Sequence, residues 1–312
     1  MMTALTTEER MRAVFRLLTP TEGRTRSLLE GVDLMRSDRP IARTAVLYEP
    51  SIVIVCQGRK RGYLGDQVYL YDAQHYLVLS VPLPLFAETE ASVEEPLLAV
   101  GIRLDLAAVA ELVVKLGEVD GLPVEPPKGV ASTPLDEGMA NATLRLLEAL
   151  ASPMDARILA PDIVREICYR VLVGAQGGAI RAALAHHGHF GRISRALKRI
   201  HSDFSKDLTV TGLASDAGMS VPAFHSHFKN ITQSSPIQYI KSIRLHEARL
   251  MMIRDNVTAA AAAARVGYES PSQFSREFKR LFGRSPTDEA RDMKTAFSIL
   301  PPVDIEAAAM RH

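Results

Sequence analysis

LASDAGMSVPAFHSHFKNITQSSPIQY occupies residues 213–239, and AAARVGYESPSQFSREFKRLFGRSP occupies residues 262–286. The two stretches are copies of one pattern. Phe224 and Phe274, Phe228 and Phe278, Lys229 and Lys279, Ser235 and Ser285, and Pro236 and Pro286 each lie 50 residues apart, while Gly218 and Gly267 lie 49 apart. Agreement in residue type and in order marks the duplication of one supersecondary unit.

Each copy reads as two helices joined by a tight turn. Thr209 caps a first helix running to about Ala217, Gly218 gives the turn its backbone freedom, and Ser220 with Pro222 opens a second helix. Phe224 and Phe228, four apart, anchor one face of that helix and leave His225, Ser226 and Lys229 outward. In the second copy Thr258 caps, Gly267 turns and Ser270-Pro271 opens the next helix. Phe274 and Phe278 anchor it, leaving Ser272, Ser275, Arg276 and Lys279 outward. Helix, glycine turn and second helix make a helix-turn-helix unit. Between the units, Ser235-Pro236 starts about 18 residues free of breakers, a helix of roughly 27 Å. Two recognition helices on one chain can then address major-groove segments about 34 Å apart. The expected contacts to double-stranded DNA are Ser220, Pro222, His225, Ser226 and Lys229 in the first unit. In the second they are Ser270, Ser272, Ser275, Arg276 and Lys279. The competing reading, a helical bundle merely marked by paired phenylalanines, explains neither the duplication nor the polar outward faces.

Charge points the same way. The chain has 312 residues, enough for about two domains, and a formal net charge of +1. That balance hides an asymmetry: residues 1–191 carry 19 Lys and Arg against 24 Asp and Glu, and residues 192–294 carry 17 against 10. An excess of positive charge on the duplicated half suits a polyanion partner. With 47% apolar and 23% charged residues the composition is that of a globular protein. No apolar run approaches the roughly 20 residues of a membrane span, and the opening MMTALTTEERMR has none of the apolar core of a secretory leader. Cys56 and Cys168 stand far apart without a CxxC, which fits a reducing cytoplasm.

The other half has a different period. Residues 44–48, 51–56, 67–71, 76–80 and 97–101 are short, β-branched or aromatic runs separated by the turn signals Glu49-Pro50, Gln57-Gly58, Gly65-Asp66, Asp72-Ala73 and Pro82/Pro84. They predict a sandwich or barrel, with 52–56 buried on both faces. From Asp105, a helix cap, the spacing becomes helical through Val109, Leu112, Val113 and Leu116. A loop at 117–134 follows, then helices near 135–151 and 161–174. Their stripes Leu144, Leu147, Ala151 and Ile163, Ile167, Val171 predict either a dimer surface or packing onto the chain's own barrel. Glycines at 174–191 mark the expected hinge.

The duplicated region resembles the AraC/XylS family of bacterial transcription regulators. The resemblance rests on Leu213-Ala214, Ala217-Gly218-Met219-Ser220, Phe224, Phe228-Lys229, Ser235-Pro236, Tyr239, Arg244-Leu245 and Ala248-Arg249. In the second unit it rests on Val266-Gly267-Tyr268-Glu269-Ser270, Phe274-Ser275-Arg276, Phe278-Lys279, Gly283 and Ser285-Pro286. It implies one chain contacting two adjacent major grooves. Two positions depart from the family pattern. Glu289 and Ala290 stand where an aromatic-Arg pair is usual, which predicts a shifted or weaker last helix. Gln233 or Ser234 stands where glycine is usual, at a cost of about 1 kcal/mol if φ is positive. Residues from Ser51 to Gly58, Lys60, Gly65-Asp66, Tyr71, Tyr76-Leu77-Val78, Val81, Leu83-Pro84 and Glu166 to Leu172 are similar to the cupin-like N-terminal module of one branch of that family. Such modules sense small molecules or mediate dimerisation.

The expected fold is therefore α+β and multidomain. It comprises a helical lead-in over 1–30, a cupin-like β-barrel or sandwich with flanking helices over 31–186, an all-α double helix-turn-helix over 187–294, and a weakly ordered tail over 295–312. Catalytic, metal and cofactor sites are expected to be absent. The β half holds one histidine, His75; His186, His187 and His189 fall in the hinge; and no GxSxG, P-loop or GxGxxG occurs. Cys56 ends an apolar strand and reads as an inert small hydrophobe. Tyr69, Tyr71 and Tyr76 could line an effector pocket in which Arg59, Lys60 or Arg61 pairs an anionic group. The alternative is ordinary cross-strand pairing beside a solvated basic turn. The expected partners are promoter DNA, RNA polymerase, an unidentified small effector and a second copy in a homodimer, with no membrane. Two rivals stay open: an effector-independent dimer that tethers a partner to DNA, and a cupin-type oxygenase fused to a DNA-binding domain.

Overall fold

The computed structural model describes residues 5–117, 128–175, 177–184 and 188–298, the side chains of 293–298 excepted. Ten strands form two antiparallel sheets. One has the order β1 (Gly23–Arg26), β2 (Val32–Ser37), β9 (Leu97–Arg103), β4 (Ser51–Gln57), β7 (His75–Leu79), β10 (Val130–Pro134). The other has the order β3 (Ile41–Tyr48), β8 (Leu83–Glu90), β5 (Arg59–Leu64), β6 (Gln67–Asp72). Strand alternation divides β4 between two cores, as a run buried on both faces requires. Ile52, Ile54 and Cys56 face a helical layer, and Val53 and Val55 belong to the core shared with the second sheet. The helical layer consists of α1 (Thr7–Leu18), α2 (Leu106–Leu116), α3 (Glu137–Leu150), α4 (Pro153–Ile158), α5 (Ala160–Val173) and α6 (Gly177–Leu184). Asp105 caps α2 by accepting from the amides of Ala107 and Ala108.

Five strands were not anticipated. The described part of the lead-in is α1 followed by β1, which pairs with β2, so residues 5–30 are part of the module rather than a prelude to it. Arg59-Lys60-Arg61 is not a basic turn but the start of β5: Arg59 and Arg61 meet acids at the surface while Lys60 is buried. Pro84, read as a turn, lies inside β8. Its missing N–H costs little because β5 pairs with β8 only from Phe86 to Glu90. Of the 117–134 loop, residues 118–127 lie outside the described residues, and 130–134 form β10.

The apolar stripes of the helices near 135–174 are used within the chain. Leu144, Leu147, Ile163, Ile167 and Val171 are buried in the core against the six-stranded sheet, so they offer no surface to a second copy; Ala151 is exposed. The expected hinge is largely helical, with Ala179 and Ile180 of α6 and Phe190 of the following helix buried. His186 and His187 lie outside the described residues.

The C-terminal half contains α7 (His189–Asp203), α8 (Val210–Asp216), α9 (Val221–Thr232), α10 (Pro236–Arg254), α11 (Ala259–Arg265), α12 (Pro271–Phe282) and α13 (Pro286–Ser298). The expected last helix is present. Glu289, at its departing position, is buried and pairs with Arg249 of α10 at 2.6 Å. Of the tail, residues 299–312 lie outside the described residues. The two helix-turn-helix units differ in their cores. Phe224, Phe228, Tyr239 and Ile243 join one apolar cluster with Leu77, Leu79, Leu83 and Leu85 of the sheets. Phe274 and Phe278 form a separate cluster with Leu245, Ala248, Met252, Ala262 and Ala263.

Candidate nucleic-acid interface

Capping and turn chemistry set both recognition helices. Ser220 accepts from the amide of Ala223, and Ser270 from that of Gln273, so each of these two expected contacts is first of all a helix N-cap. Gly218 and Gly267 have φ of +61° and +85°. At Gly267 a Cβ would also stand 2.8 Å from the carbonyl of Ser205, so glycine is doubly required. An arginine steadies each turn: Arg192 donates to the Gly218 carbonyl at 3.0 Å, and Arg244 to the Gly267 carbonyl at 3.2 Å. Arg244 also donates to the carbonyls of Phe204 and Lys206. Arg192 was not singled out from the sequence, and Arg244 was named only within the family resemblance, without this role; nothing in the spacing says which carbonyl a long side chain will reach.

Phe224, Phe228, Phe274 and Phe278 are fully buried and fix which side of α9 and α12 faces out. On α9, Pro222, Ser226 and Lys229 are exposed and His225 is half-buried. His227, beside them, stacks on His189 with ring centroids 4.0 Å apart. On α12, Ser272, Ser275, Arg276 and Lys279 are exposed, with Arg280 next to them. Glu277, the one acid of that helix, is turned away. It accepts from Lys241 and Tyr268, both at 2.7 Å, and from Gln273 at 3.2 Å. Burial pushes its carboxyl up, but those hydrogen bonds outweigh burial and hold it below the ordinary range.

The decisive contrast is in how the cations are used. Arg199, Arg249 and Arg284 are paired with carboxylates, and Arg244 is bonded to three carbonyls. Lys229, Arg276, Lys279 and Arg280 have no ion-pair partner among the described residues. Two exposed helix faces, each opened by a capped N-terminus and lined with small polar groups and uncommitted cations, are matched to phosphates and base edges.

Residues 28–179 match the family described as the AraC-type transcriptional regulator N-terminus, and residues 213–292 match a helix-turn-helix domain family. The chain belongs to the AraC/XylS family of transcription regulators. Among curated relatives, the transcriptional regulator AlkR of Acinetobacter baylyi is 35% identical over 94 residues, covering 30% of this chain and 31% of AlkR. The RCS-specific transcriptional activator RclR of Escherichia coli is 36% identical over 78 residues, covering 25% of this chain and 28% of RclR. The chain thus spans about a third of the length of the curated relatives it matches. In solved structures the same two-part fold occurs in ToxT of Vibrio cholerae. Its apo form has a TM-score of 0.57 at 15% identity, over 86% of this chain and 98% of ToxT. A form bound to an unsaturated fatty acid has a TM-score of 0.57 at 16% identity, over 83% and 94%.

In the N-terminal module of this AraC-family regulator, the five residues expected to line an effector pocket do not converge. Lys60 and Tyr71 face the space between the sheets, with Tyr69 half-buried near them. Tyr76 faces the helical layer on the opposite side of its sheet, where burial pushes its hydroxyl up to about 12. Arg59 faces solvent and meets Glu90 at 3.6 Å and Asp72 at 3.9 Å. Tyr48, which was not among the five, accepts from Lys60 at 3.2 Å and shares a 3.2 Å hydrogen bond with Tyr71. Cys56 is buried, and burial pushes its thiol up to about 12, far from a reactive thiolate. Among the described residues no group of three or more His, Cys, Asp or Glu could hold a metal ion.

Proposed function

We infer that the protein recognises promoter DNA through α9 and α12, in consecutive major-groove segments, and that its N-terminal module adjusts this binding to a small effector. The carrying observation is the pair of duplicated, exposed helix faces whose cations lack carboxylate partners. In this reading Arg276 and His225 read base edges, and Ser226, Ser272 and Ser275 line the same faces. Lys229, Lys279 and Arg280 meet phosphates, as do the hydroxyls of Ser220 and Ser270, and Pro222 packs against the backbone. No catalytic step is assigned to the β-sheet module. RNA polymerase is the protein partner that a promoter-bound regulator requires, and the site of action is the cytoplasm. Both readers lie on one chain, so a homodimer is not needed to span two grooves. If a second copy binds, the exposed rim of Met154, Ile158 and Leu159 is free to meet it.

Footprinting of the full-length protein on the promoters flanking its own gene tests the reading. Protection of two adjacent groove segments, weakening steeply with salt, is the expected result. An effector-independent tether is the second reading, favoured by the dense apolar packing between the sheets. It predicts footprints that no metabolite alters.

A further inference from the structure

The duplication extends one helix further back than the helix-turn-helix units. Arg192 of α7 and Arg244 of α10, 52 positions apart, each donate to the carbonyl of their unit's turn glycine. The same offset relates His189 to Lys241, and the 50-residue offset relates His227 to Glu277 and Asn230 to Arg280. In the first unit the two imidazoles stack with centroids 4.0 Å apart; in the second, Lys241 and Glu277 form a 2.7 Å ion pair. A stack of two rings serves the first unit, so the fold does not require an ion pair at this place. The second unit has one, and sets the Arg280 guanidinium beside it.

Lys241 and Glu277 line a groove of about 360 Å³ between α10 and α12. Gln238, Lys241, Ser242 and Leu245 form its α10 wall, at i, i+3, i+4 and i+7 of one stripe. That wall begins six residues after α9 ends, so the groove flanks α12 on the side of the first reader. Arg280 stands one turn after Arg276, so the groove opens beside the recognition face of α12. The Glu277 carboxylate is already spent: Oε1 accepts from Lys241 and Gln273, and Oε2 from Tyr268. An ammonium group has three protons and Glu277 takes one; the Lys241 side chain is 30% exposed, so the others can reach an anion. Lys241 and Glu277 cancel in charge, which leaves Arg280 as the net charge of the groove. The side chains of Gln238 and Ser242 add neutral donors with no hydrogen-bond partner among the described residues.

We propose that Arg280, Lys241, Ser242 and Gln238 hold one backbone phosphate of the DNA, at the border of the minor groove that separates the two major-groove segments. The proposal rests on the reading of α9 and α12 as DNA readers, and adds a contact outside the base-reading face of either. The phosphodiester takes hydrogen bonds from the guanidinium and from Lys241 while Lys241 stays bonded to Glu277. Glu277 is then a positioning residue: it keeps the ammonium at the groove instead of free in solvent. Phosphate contacts fix register without reading sequence, so this one sets where along the duplex α12 enters its groove. The first unit has no Lys or Arg at the places equivalent to Lys241 and Arg280, and no equivalent clamp.

The test uses the full-length protein and a duplex carrying the promoter segment that it protects in footprinting. Single phosphates between the two protected segments are replaced in turn by uncharged methylphosphonate. At one position the wild-type protein should lose about tenfold in affinity. Lys241→Gln, which keeps a donor for Glu277, should lose about as much on the unmodified duplex and make the salt dependence shallower by about one ion. It should lose nothing further from the methylphosphonate at that one position, because the two changes remove the same contact. Ser242→Ala should show the same cancellation on a smaller scale, and it decides the matter if Lys241→Gln melts well below wild type. The site is overturned, with DNA reading intact, if both variants bind the unmodified duplex like wild type, or if their losses add to those of every methylphosphonate. A full-length protein that protects no promoter and retains no duplex at low salt overturns the regulator reading, and the site with it.

Discussion

Tyr239 donates a 2.7 Å hydrogen bond to the carbonyl of Pro82, 157 positions earlier, and its oxygen lies 2.8 Å from His201 Nε2. A phenol has one proton, and Pro82 takes it, so His201 must be the donor and carries its proton on Nε2. One buried hydroxyl therefore ties α10, α7 and the entry to β8 together. Tyr239→Phe keeps the ring, which meets Phe228 edge-on at 5.3 Å, and removes both bonds. It should cost the full chain about 1–3 kcal/mol in urea denaturation, with the orphaned Pro82 carbonyl the main loss.

A second tie crosses the same boundary. Arg249 is 12% and Glu289 7% exposed at the side chain, and their 2.6 Å pair is flanked by the Phe282 ring and the Ala45 carbonyl. Glu289→Ala strands a buried cation and should cost about 3 kcal/mol in the same assay. Adding Arg249→Met should recover at least half of that loss. A double variant weaker than the single one would show that Arg249 acts mainly through Ala45.

Two histidines set an acid limit on stability. Burial pushes His201 down to about 4 and His246 down to about 3, so both are neutral in the fold. Above about pH 7.5 neither group makes stability depend on pH. As pH falls below that value, the unfolded chain takes up protons that the folded chain refuses, and stability is lost. The slope approaches about 1.4 kcal/mol per pH unit for each histidine. Unfolding measured between pH 6.5 and 5, above most carboxylate titration, should show this decline, and His201→Gln should reduce it by about half.

Binding assays separate the roles on α12 and α9. Arg276→Ala should cost about 1–3 kcal/mol and relax preference at one base position. Lys279→Ala and Lys229→Ala should weaken all sequences alike and make the salt dependence shallower by about one ion each. A uniform loss for Arg276→Ala would assign it to phosphate instead.

The duplication supplies its own control for backbone strain. Gln233 has φ of +54°, while its counterpart fifty residues on, Gly283, has +81°. Gln233→Gly should stabilise the chain by up to about 1 kcal/mol. The gain is reduced by loss of the Gln233 Nε2 bond to the Asn230 carbonyl and of its packing on Gly65. Melting temperature reports the net sign.

The helix-turn-helix units were legible because capping serines, turn glycines and buried phenylalanines act locally, and their duplication made each reading check the other. Residues 51–56 were legible as a strand for the same reason. The basic run at 59–61 was not: only its partners across β6 and β8 reveal that Lys60 points inward. Pro84 misled because its tolerance depends on where β5 stops pairing. The roles of Tyr48, Arg192 and Arg244 escaped because they are fixed by contacts across 23, 26 and 23 residues that no period encodes. The fate of the stripes on α3 and α5 turned on whether the sheet reached far enough to cover them, which is a question of area rather than pattern.

The partition of the cores has a consequence for building chimaeras. The first reader shares its apolar interior with the sheets, whereas the second has an apolar cluster of its own beyond the middle of α10 and meets the sheets through the Arg249 bond to the Ala45 carbonyl. Splicing a foreign sensor ahead of α7, in the stretch between the two family matches, would therefore divide a single interior and leave Phe190, Ile193 and Ile243 facing a mismatched surface. The compatible seam is within α10, between Ile243 and Leu245. A graft there that keeps an arginine at position 249 for the Ala45 carbonyl exchanges the outer reader and leaves the sensor with the DNA-contacting helix it is packed against.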